Sequence, residues 1–412
     1  MTLPITDYPS IVKSNLVHFQ DLFTKPQLSH FAEYLSGLML CINLTIKGIN
    51  NSFVGHRDQS AKERFLVRSA WPEQKVNQRR LGLILKQVSP LNANKCYLVV
   101  DDVLTHKTGK HMEEVGRYKD HTNNSYTLGH VLVTTHHLSA KGHFPVGYSL
   151  YKQRANKEDP EFRSKIKLAK QLVEEAAHVH LPFETVLFDC WYFCKELTSF
   201  VEALGKNWVA GCRSNRVLFV NNKRVPIRDF IEALSKQAYQ KTTIKGQDYF
   251  YFTKSFTMSR QGKVRLLVCY DNAKLQGDPV ILATNKLGWE ARRIMMAYKR
   301  RWTIETFYRD SKQNLGLEDY ELRDLKGIKR HWCLVFLAYT VLQLSSLDKS
   351  LRRWLRSNVG TIGSKCRLSF QETVRSFILF ILKQNSLNRN PDEITTIIFS
   401  SKAEIGRRFS FA

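Results

Sequence analysis

Near residue 95 the apolar rhythm of this chain changes, and that change restricts its fold more than any other feature. Before it, apolar side chains recur every three and four residues in segments 11–23, 27–38, 40–53, 60–69 and 73–85, which predicts a series of short helices. Asp58 and Ser60 stand as N-cap candidates for the fourth of these, with Glu63 in its first turns. Beyond residue 95 the pattern becomes extended. Segment 97–100 ends at Asp101, and 125–136 and 144–151 follow as two further strands. A helix opening at Asp159-Pro160-Glu161 runs to about Ala177. The wholly apolar run 185–188 then ends at Asp189, as expected of a strand buried on both faces. A helix from about Tyr192 to Leu204 and a strand over 207–212 complete the order βββαβαβ. That order predicts an α/β fold with a mixed sheet flanked by helices.

From Arg213 to about Tyr270 the chain is again rich in strands, at 217–220, 248–255 and 264–269, and reads as an inserted β subdomain over 213–275. The main fold resumes at 280–284 and passes into a long helix carrying Tyr298 to Lys312, with Gly316 as its C-terminal stop. A further helix, 328–344, is apolar enough to be core. The expected organisation is a helical region over 1–93, a main α/β domain over 94–346 that contains the β insertion, and a basic helical region over 347–412.

The chain has 412 residues and 43% hydrophobic content, enough for at least one substantial core. Lys and Arg outnumber Asp and Glu by 63 to 37, a formal charge of +26 spread along the whole chain, which calls for a polyanionic partner. Charge of this kind supplies sequence-independent, salt-sensitive attraction to phosphates. No membrane is expected, because no stretch reaches the roughly 20 apolar residues that span a bilayer. The first residues also lack a basic segment followed by an apolar run, so the expected location is cytoplasmic. The eight cysteines contain no C-x-x-C pair, which argues against zinc and for reduced thiols.

The segment Tyr298-Lys-Arg-Arg301-Trp-Thr-Ile-Glu305-Thr-Phe-Tyr-Arg309-Asp-Ser-Lys312 carries the densest chemistry. At roughly 100° per residue, Tyr298, Arg301, Glu305 and Lys312 fall within an arc of about 60° on a helix, and Arg309 joins them. A carboxylate among cations on one stripe suits a helix that meets metal ions and phosphates together. Ordinary i,i+4 ion pairs on a solvated face would produce the same charges. Asp101, with Asp102 behind it, and Asp189 each follow an apolar strand. Ligands of open α/β sheets bind beyond the carboxyl ends of strands, so these aspartates and a helix-borne glutamate are candidates for one site. Three such carboxylates can hold two Mg²⁺ or Mn²⁺ ions about 3.5–4 Å apart for in-line displacement at phosphorus. Hard oxygen donors select these ions over zinc. The plainer reading is that each aspartate caps a turn.

The spacing of Tyr298, Arg301, Glu305 and Lys312 resembles the YREK signature of bacterial insertion-sequence transposases of the DDE type, whose catalytic core is RNase H-like. The segments Asp101-Asp102 with Lys107-Thr-Gly-Lys110, Asp189-Cys-Trp-Tyr192 and Ala283-Thr-Asn285 are similar to that group as well, so the resemblance covers roughly residues 95–345. It implies Asp101, Asp189 and Glu305 as catalytic and metal-binding carboxylates with two Mg²⁺ or Mn²⁺ ions per site. It further implies Tyr298, Arg301, Arg309 and Lys312 as DNA contacts. Many relatives carry Thr or Ser two residues after the first aspartate, where this chain has Val103, so Asp102 stays beside Asp101 as a candidate. Strand alternation favours Asp101: if it faces the site, Asp102 faces away. The implied activity is binding of terminal inverted repeats, cleavage at the element ends and transfer of the 3′-OH ends into target DNA. The implied setting is a homodimer on DNA in the bacterial nucleoid. A related nuclease without strand transfer, or a non-catalytic DNA-binding descendant, are the alternatives.

Overall fold

The computed structural model describes residues 3–56, 58–120, 123–154, 159–345 and 360–400. In chain order the elements begin with helices α1 (Ser10–Leu16), α2 (Lys25–Leu40), α3 (Ile46–Asn51), α4 (Gln59–Val67) and α5 (Glu73–Val88). Strands β1 (Tyr97–Lys107), β2 (Gly116–Asp120), β3 (Ser125–Ser139) and β4 (Gly142–Tyr151) follow, then α6 (Lys165–His178), β5 (Thr185–Phe188), α7 (Lys195–Ala203) and β6 (Asn207–Gly211). Next come β7 (Val217–Val220), β8 (Lys223–Pro226), α8 (Ile227–Glu232), β9 (Gln240–Ile244), β10 (Gln247–Met258), β11 (Gly262–Tyr270) and β12 (Val280–Thr284). Helices α9 (Ala291–Lys299), α10 (Thr303–Leu315), α11 (Leu325–Leu344), α12 (Ile362–Ser386) and α13 (Pro391–Phe399) complete the described elements. The chain divides into two compact units, one drawn from residues 1–87, 104–130 and 307–412, the other from 88–103 and 131–306.

The second unit is built on a mixed sheet, in the order β3-β1-β5-β6-β12-β11-β10-β7-β8, with β4 paired to β3 and β9 to β10. Its centre is parallel: β1 runs beside β5 from Tyr97↔Thr185 to Val100↔Phe188, and β5 beside β6 from Thr185↔Asn207 to Phe188↔Ala210. All four residues of β5 are buried, as its uninterrupted apolar sequence predicts for a strand covered on both faces. Helix α6 packs on β4 and α7, while α7 and α9 pack on β6. The strands within 213–275 are antiparallel and extend the same sheet, β11 pairing with β12 from Arg265↔Thr284 to Cys269↔Val280.

The first unit is organised around α11, most of whose residues are buried. Its Arg330, 2% exposed, donates to the carbonyls of Leu66 at 2.8 Å and Trp71 at 2.6 Å, so the end of α4 is closed by a buried cation. Phe23, Phe31, Phe65 and Trp71 form an aromatic cluster in the same unit. Strand β2 pairs with residues Ser125 to Gly129 of β3.

Several expected boundaries move, each for a local reason. Asp58 does cap α4, accepting from the Ser60 amide at 2.7 Å, and Gly316 follows α10 with φ +68, the left-handed conformation that glycine adopts at least cost. The segment 11–23, however, breaks into α1 and a 3-10 turn at Gln20–Leu22. The helix expected over 40–53 shrinks to α3 because Thr45 caps it, accepting from the Gly48 amide at 3.1 Å. Helix α6 starts at Lys165, capped by Ser164, because the Asp159 carboxylate instead closes a local turn with the Glu161 amide. Strand β1 continues through Asp101 to Lys107, and β2 was not foreseen between the expected strands. The single long helix expected from Tyr298 to Lys312 is two helices, α9 and α10, joined by a 3-10 turn at Arg300–Trp302. Such tight turns are common joints between helical segments.

Candidate active site

Asp101 and Asp189 each occupy the position just after the last pair of the β1–β5 parallel ladder, Val100↔Phe188. Leu98, Val99 and Val100 on one strand and Val186, Leu187 and Phe188 on the other are fully buried, so apolar packing anchors both backbones up to the residue before each carboxylate. Asp189 Oδ1 accepts from the amides of Trp191 at 2.9 Å and Tyr192 at 3.1 Å. This turn corrects the helix expected from Tyr192, delaying α7 to Lys195, and it fixes one oxygen of the carboxylate by backbone donors.

Arg301, in the joint between α9 and α10, brings the other two carboxylates together. Its Nη1 donates to Asp101 Oδ2 at 2.7 Å and its Nη2 to Glu305 Oε1 at 2.7 Å. Asp101 Oδ1 accepts from the Asp102 amide at 2.9 Å. The Asp101 and Arg301 side chains are 16% and 13% exposed, and Glu305 is more open at 34%. Burial pushes the Asp101 carboxyl up to about 7; Arg301 opposes this, while the charges of Asp189 and Asp102 reinforce it. Arg301 is itself desolvated, but Asp101, Tyr298 and Glu305 outweigh that and hold its charge. The Tyr298 ring centroid lies 5.7 Å from the Arg301 guanidinium, and burial raises the phenol above its ordinary value despite that cation. Tyr298 fits here because residue 211 is glycine: a Cβ at Gly211 would stand 2.7 Å from the Tyr298 hydroxyl and 3.1 Å from the Cys190 amide.

Asp102 has different partners. Lys165 Nζ donates to its Oδ2 at 2.7 Å and the Tyr192 hydroxyl to its Oδ1 at 2.9 Å, which ties β1 to the start of α6 and to the turn after β5. Adjacent strand residues face opposite sides, so the two aspartates divide between the Arg301 cluster and this clamp. Lys165 and Tyr192 were not foreseen as part of the site. They lie 63 and 90 positions from Asp102, and no local spacing signals a pairing over that range.

Arg309 and Lys312 belong to the first unit. The Arg309 side chain is 61% exposed with a loose pair to Asp310 at 3.6 Å. Lys312 donates to the Leu104 carbonyl at 2.8 Å and pairs with Glu318 at 2.9 Å, with its side chain 24% exposed.

A sequence profile described as DDE superfamily endonuclease matches residues 18–229, just over half of the chain. The chain belongs to that superfamily. This DDE endonuclease is also similar to the probable transposase for insertion sequence element IS701 of Microchaete diplosiphon, at 24% identity over 287 residues that make up 67% of this chain and 72% of the relative. The resemblance to DDE-type insertion-sequence transposases is therefore shown. A crystal structure of an endonuclease V from Bacillus subtilis aligns at 12% identity over 58% of this chain and 94% of that one, with a TM-score of 0.25, too low to bear on the fold.

Among the described residues of the DDE endonuclease, no group of three or more His, Cys, Asp or Glu is arranged to hold a metal ion. The cation that the structure does show between Asp101 and Glu305 is the Arg301 guanidinium. An oxygen-only donor set of this kind has the chemistry that Mg²⁺ and Mn²⁺ accept. No described helix is long and apolar enough to cross a membrane.

Proposed function

We propose that this DDE endonuclease is a transposase of the YREK group, with an RNase H-like core. It binds terminal inverted repeats, cleaves DNA at the element ends and transfers the 3′-OH ends into target DNA. The observation that carries this reading is the Arg301 bridge: one guanidinium joins Asp101 of β1 to Glu305 of α10, while Asp189 is near enough to raise the proton affinity of Asp101. Half-buried carboxylates that already share a cation are suited to divalent ions. Asp101, Asp189 and Glu305 would hold two Mg²⁺ or Mn²⁺ ions per site. When bound, these ions activate the attacking water or 3′-OH and stabilise the leaving oxygen.

The remaining roles fall to the protein's own groups. The backbone amides that grip Asp189 Oδ1 hold that carboxylate in one orientation. Arg301 presents a planar donor set that can turn from carboxylates to a DNA phosphate, since both offer oxygen pairs of similar geometry. Tyr298 lines the same place, and Arg309 and Lys312 are further DNA contacts on α10. Residues 1–93 are proposed as the end-binding region, 94–346 as the catalytic domain with 213–275 inserted in it, and 347–412 as a basic C-terminal region. The protein acts as a homodimer on DNA in the bacterial nucleoid, because joining two ends takes two active sites.

Incubation of a labelled duplex bearing the terminal repeat with Mg²⁺ and a target plasmid tests the reading. Nicked ends that become joined to the plasmid are expected. Nicking without joining would leave a nuclease in place of a transposase.

A further inference from the structure

Helix α9 carries four cations on one outward face. At about 100° per residue, Arg292, Arg293 and Lys299, with Arg300 as its C-cap, fall within an arc of about 120°, and all four are exposed. Ala291, Ile294 and Ala297, each no more than 3% exposed, hold the opposite arc, and Tyr298 projects from it beside Arg301. None of the four cations pairs with a carboxylate among the described residues. Arg79, Arg228 and Lys241, which are also exposed, each have one, in Asp21, Asp229 and Asp248. Two of the four are braced by aromatic rings. The Arg293 guanidinium lies 4.1 Å from the Trp289 ring centroid, and that of Arg300 lies 5.4 Å from the Tyr97 centroid. A guanidinium resting on a ring face keeps N–H donors free at its edge and loses less freedom when it binds. Four like charges on one short face raise the local potential, and a polyanion lowers it.

We infer that this face of α9 holds the backbone of a second duplex, the target DNA, and not the duplex that is being cut. The inference rests on the proposed cleavage and strand transfer at Asp101, Asp189 and Glu305. A strand that reaches those carboxylates meets Tyr298 and Arg301 on the other side of the helix axis, so the outward face stays open while an end is bound. Its dimensions suit a track of phosphates. Arg292 to Arg300 spans about 12 Å of helix. One DNA strand carries a phosphate about every 3.4 Å along its axis, so the stripe matches about four of them. Phosphate contacts carry no sequence information, which fits a partner whose sequence differs from one insertion to the next.

The test compares wild type with a variant combining Arg292→Gln, Arg293→Gln, Lys299→Gln and Arg300→Gln, and with a milder one combining only Arg292→Gln and Lys299→Gln, the two cations that rest on no ring. Each protein is saturated with an unlabelled duplex bearing the terminal repeat that flanks this protein's own gene, then titrated with a labelled duplex of unrelated sequence at several salt concentrations. Wild type should bind the second duplex, and the fourfold variant should bind it about tenfold or more weakly, with a slope of log K against log salt shallower by about 3.6; the milder variant should lose about half of that slope. Binding and nicking of the repeat duplex should stay within about twofold of wild type in both variants, while joining of pre-cut repeat ends to a plasmid falls about tenfold or more in the fourfold variant. Equal binding of the second duplex by wild type and both variants, or parallel loss of repeat binding and second-duplex binding, would overturn the inference. Failure of wild type to nick or join any duplex would instead remove the catalytic reading beneath it, while the second-duplex titration, which needs no cleavage, still decides what the face of α9 binds.

Discussion

At the scale of single residues, the division of labour between Asp101 and Asp102 is the sharpest statement the structure makes about neighbouring side chains. Asp101 meets Arg301, and Asp102 meets Lys165 and Tyr192. Asp101→Asn should therefore abolish DNA cleavage, whereas Asp102→Asn, which keeps an acceptor for Tyr192 but loses the ion pair, should lower both cleavage and thermal stability without abolishing either. Side-by-side nicking assays and melting curves check this; full loss in Asp102→Asn with full activity in Asp101→Asn would reverse the assignment. Arg301→Ala should weaken binding to end DNA and reduce the slope of log K against log salt by about one, as expected for one lost phosphate contact. An unchanged slope would mean that Arg301 serves the carboxylates alone.

At the scale of elements, buried histidines give β3 a pH dependence. The fully buried His137 ring donates from Nε2 to the Pro182 carbonyl at 2.9 Å, and burial pushes its proton affinity down to about 4. Its depressed folded value means that the unfolded chain binds the extra proton first. The associated stability is complete above about pH 6.5 and is lost as pH falls toward 4, amounting to about 3 kcal/mol. Denaturant midpoints should fall over that window in wild type and fall less in His137→Gln; parallel curves for the two would exclude the histidine as the cause. Elements were legible in the sequence where packing repeats. The apolar runs of β1 and β5 end at Asp101 and Asp189 because both faces are covered up to those positions, and the Glu305–Arg301 pair follows from i,i+4 spacing. What was not legible depends on single polar groups. Thr45 and Ser164 restart helices, the Asp189 carboxylate delays α7, and a 3-10 turn splits the expected long helix at Arg300–Trp302. The Asp102 clamp was hidden because its partners are distant in the chain.

At the scale of the whole molecule, the +26 charge and the DDE endonuclease family point to DNA as the partner. Much of the affinity for end DNA should then come from phosphate neutralisation, and it should fall steeply as salt rises. Charge alone cannot separate a binding protein from an enzyme, and that separation lies with the three candidate carboxylates. The most direct measurement is the Mg²⁺-dependent cleavage of a labelled terminal-repeat duplex by wild type, Asp101→Asn, Asp189→Asn and Glu305→Gln, with binding recorded alongside. Metal-dependent nicking by wild type that disappears in all three variants while binding stays within a few-fold is the predicted result. Nicking that survives in any of the three, or that proceeds without divalent ions, would contradict the account.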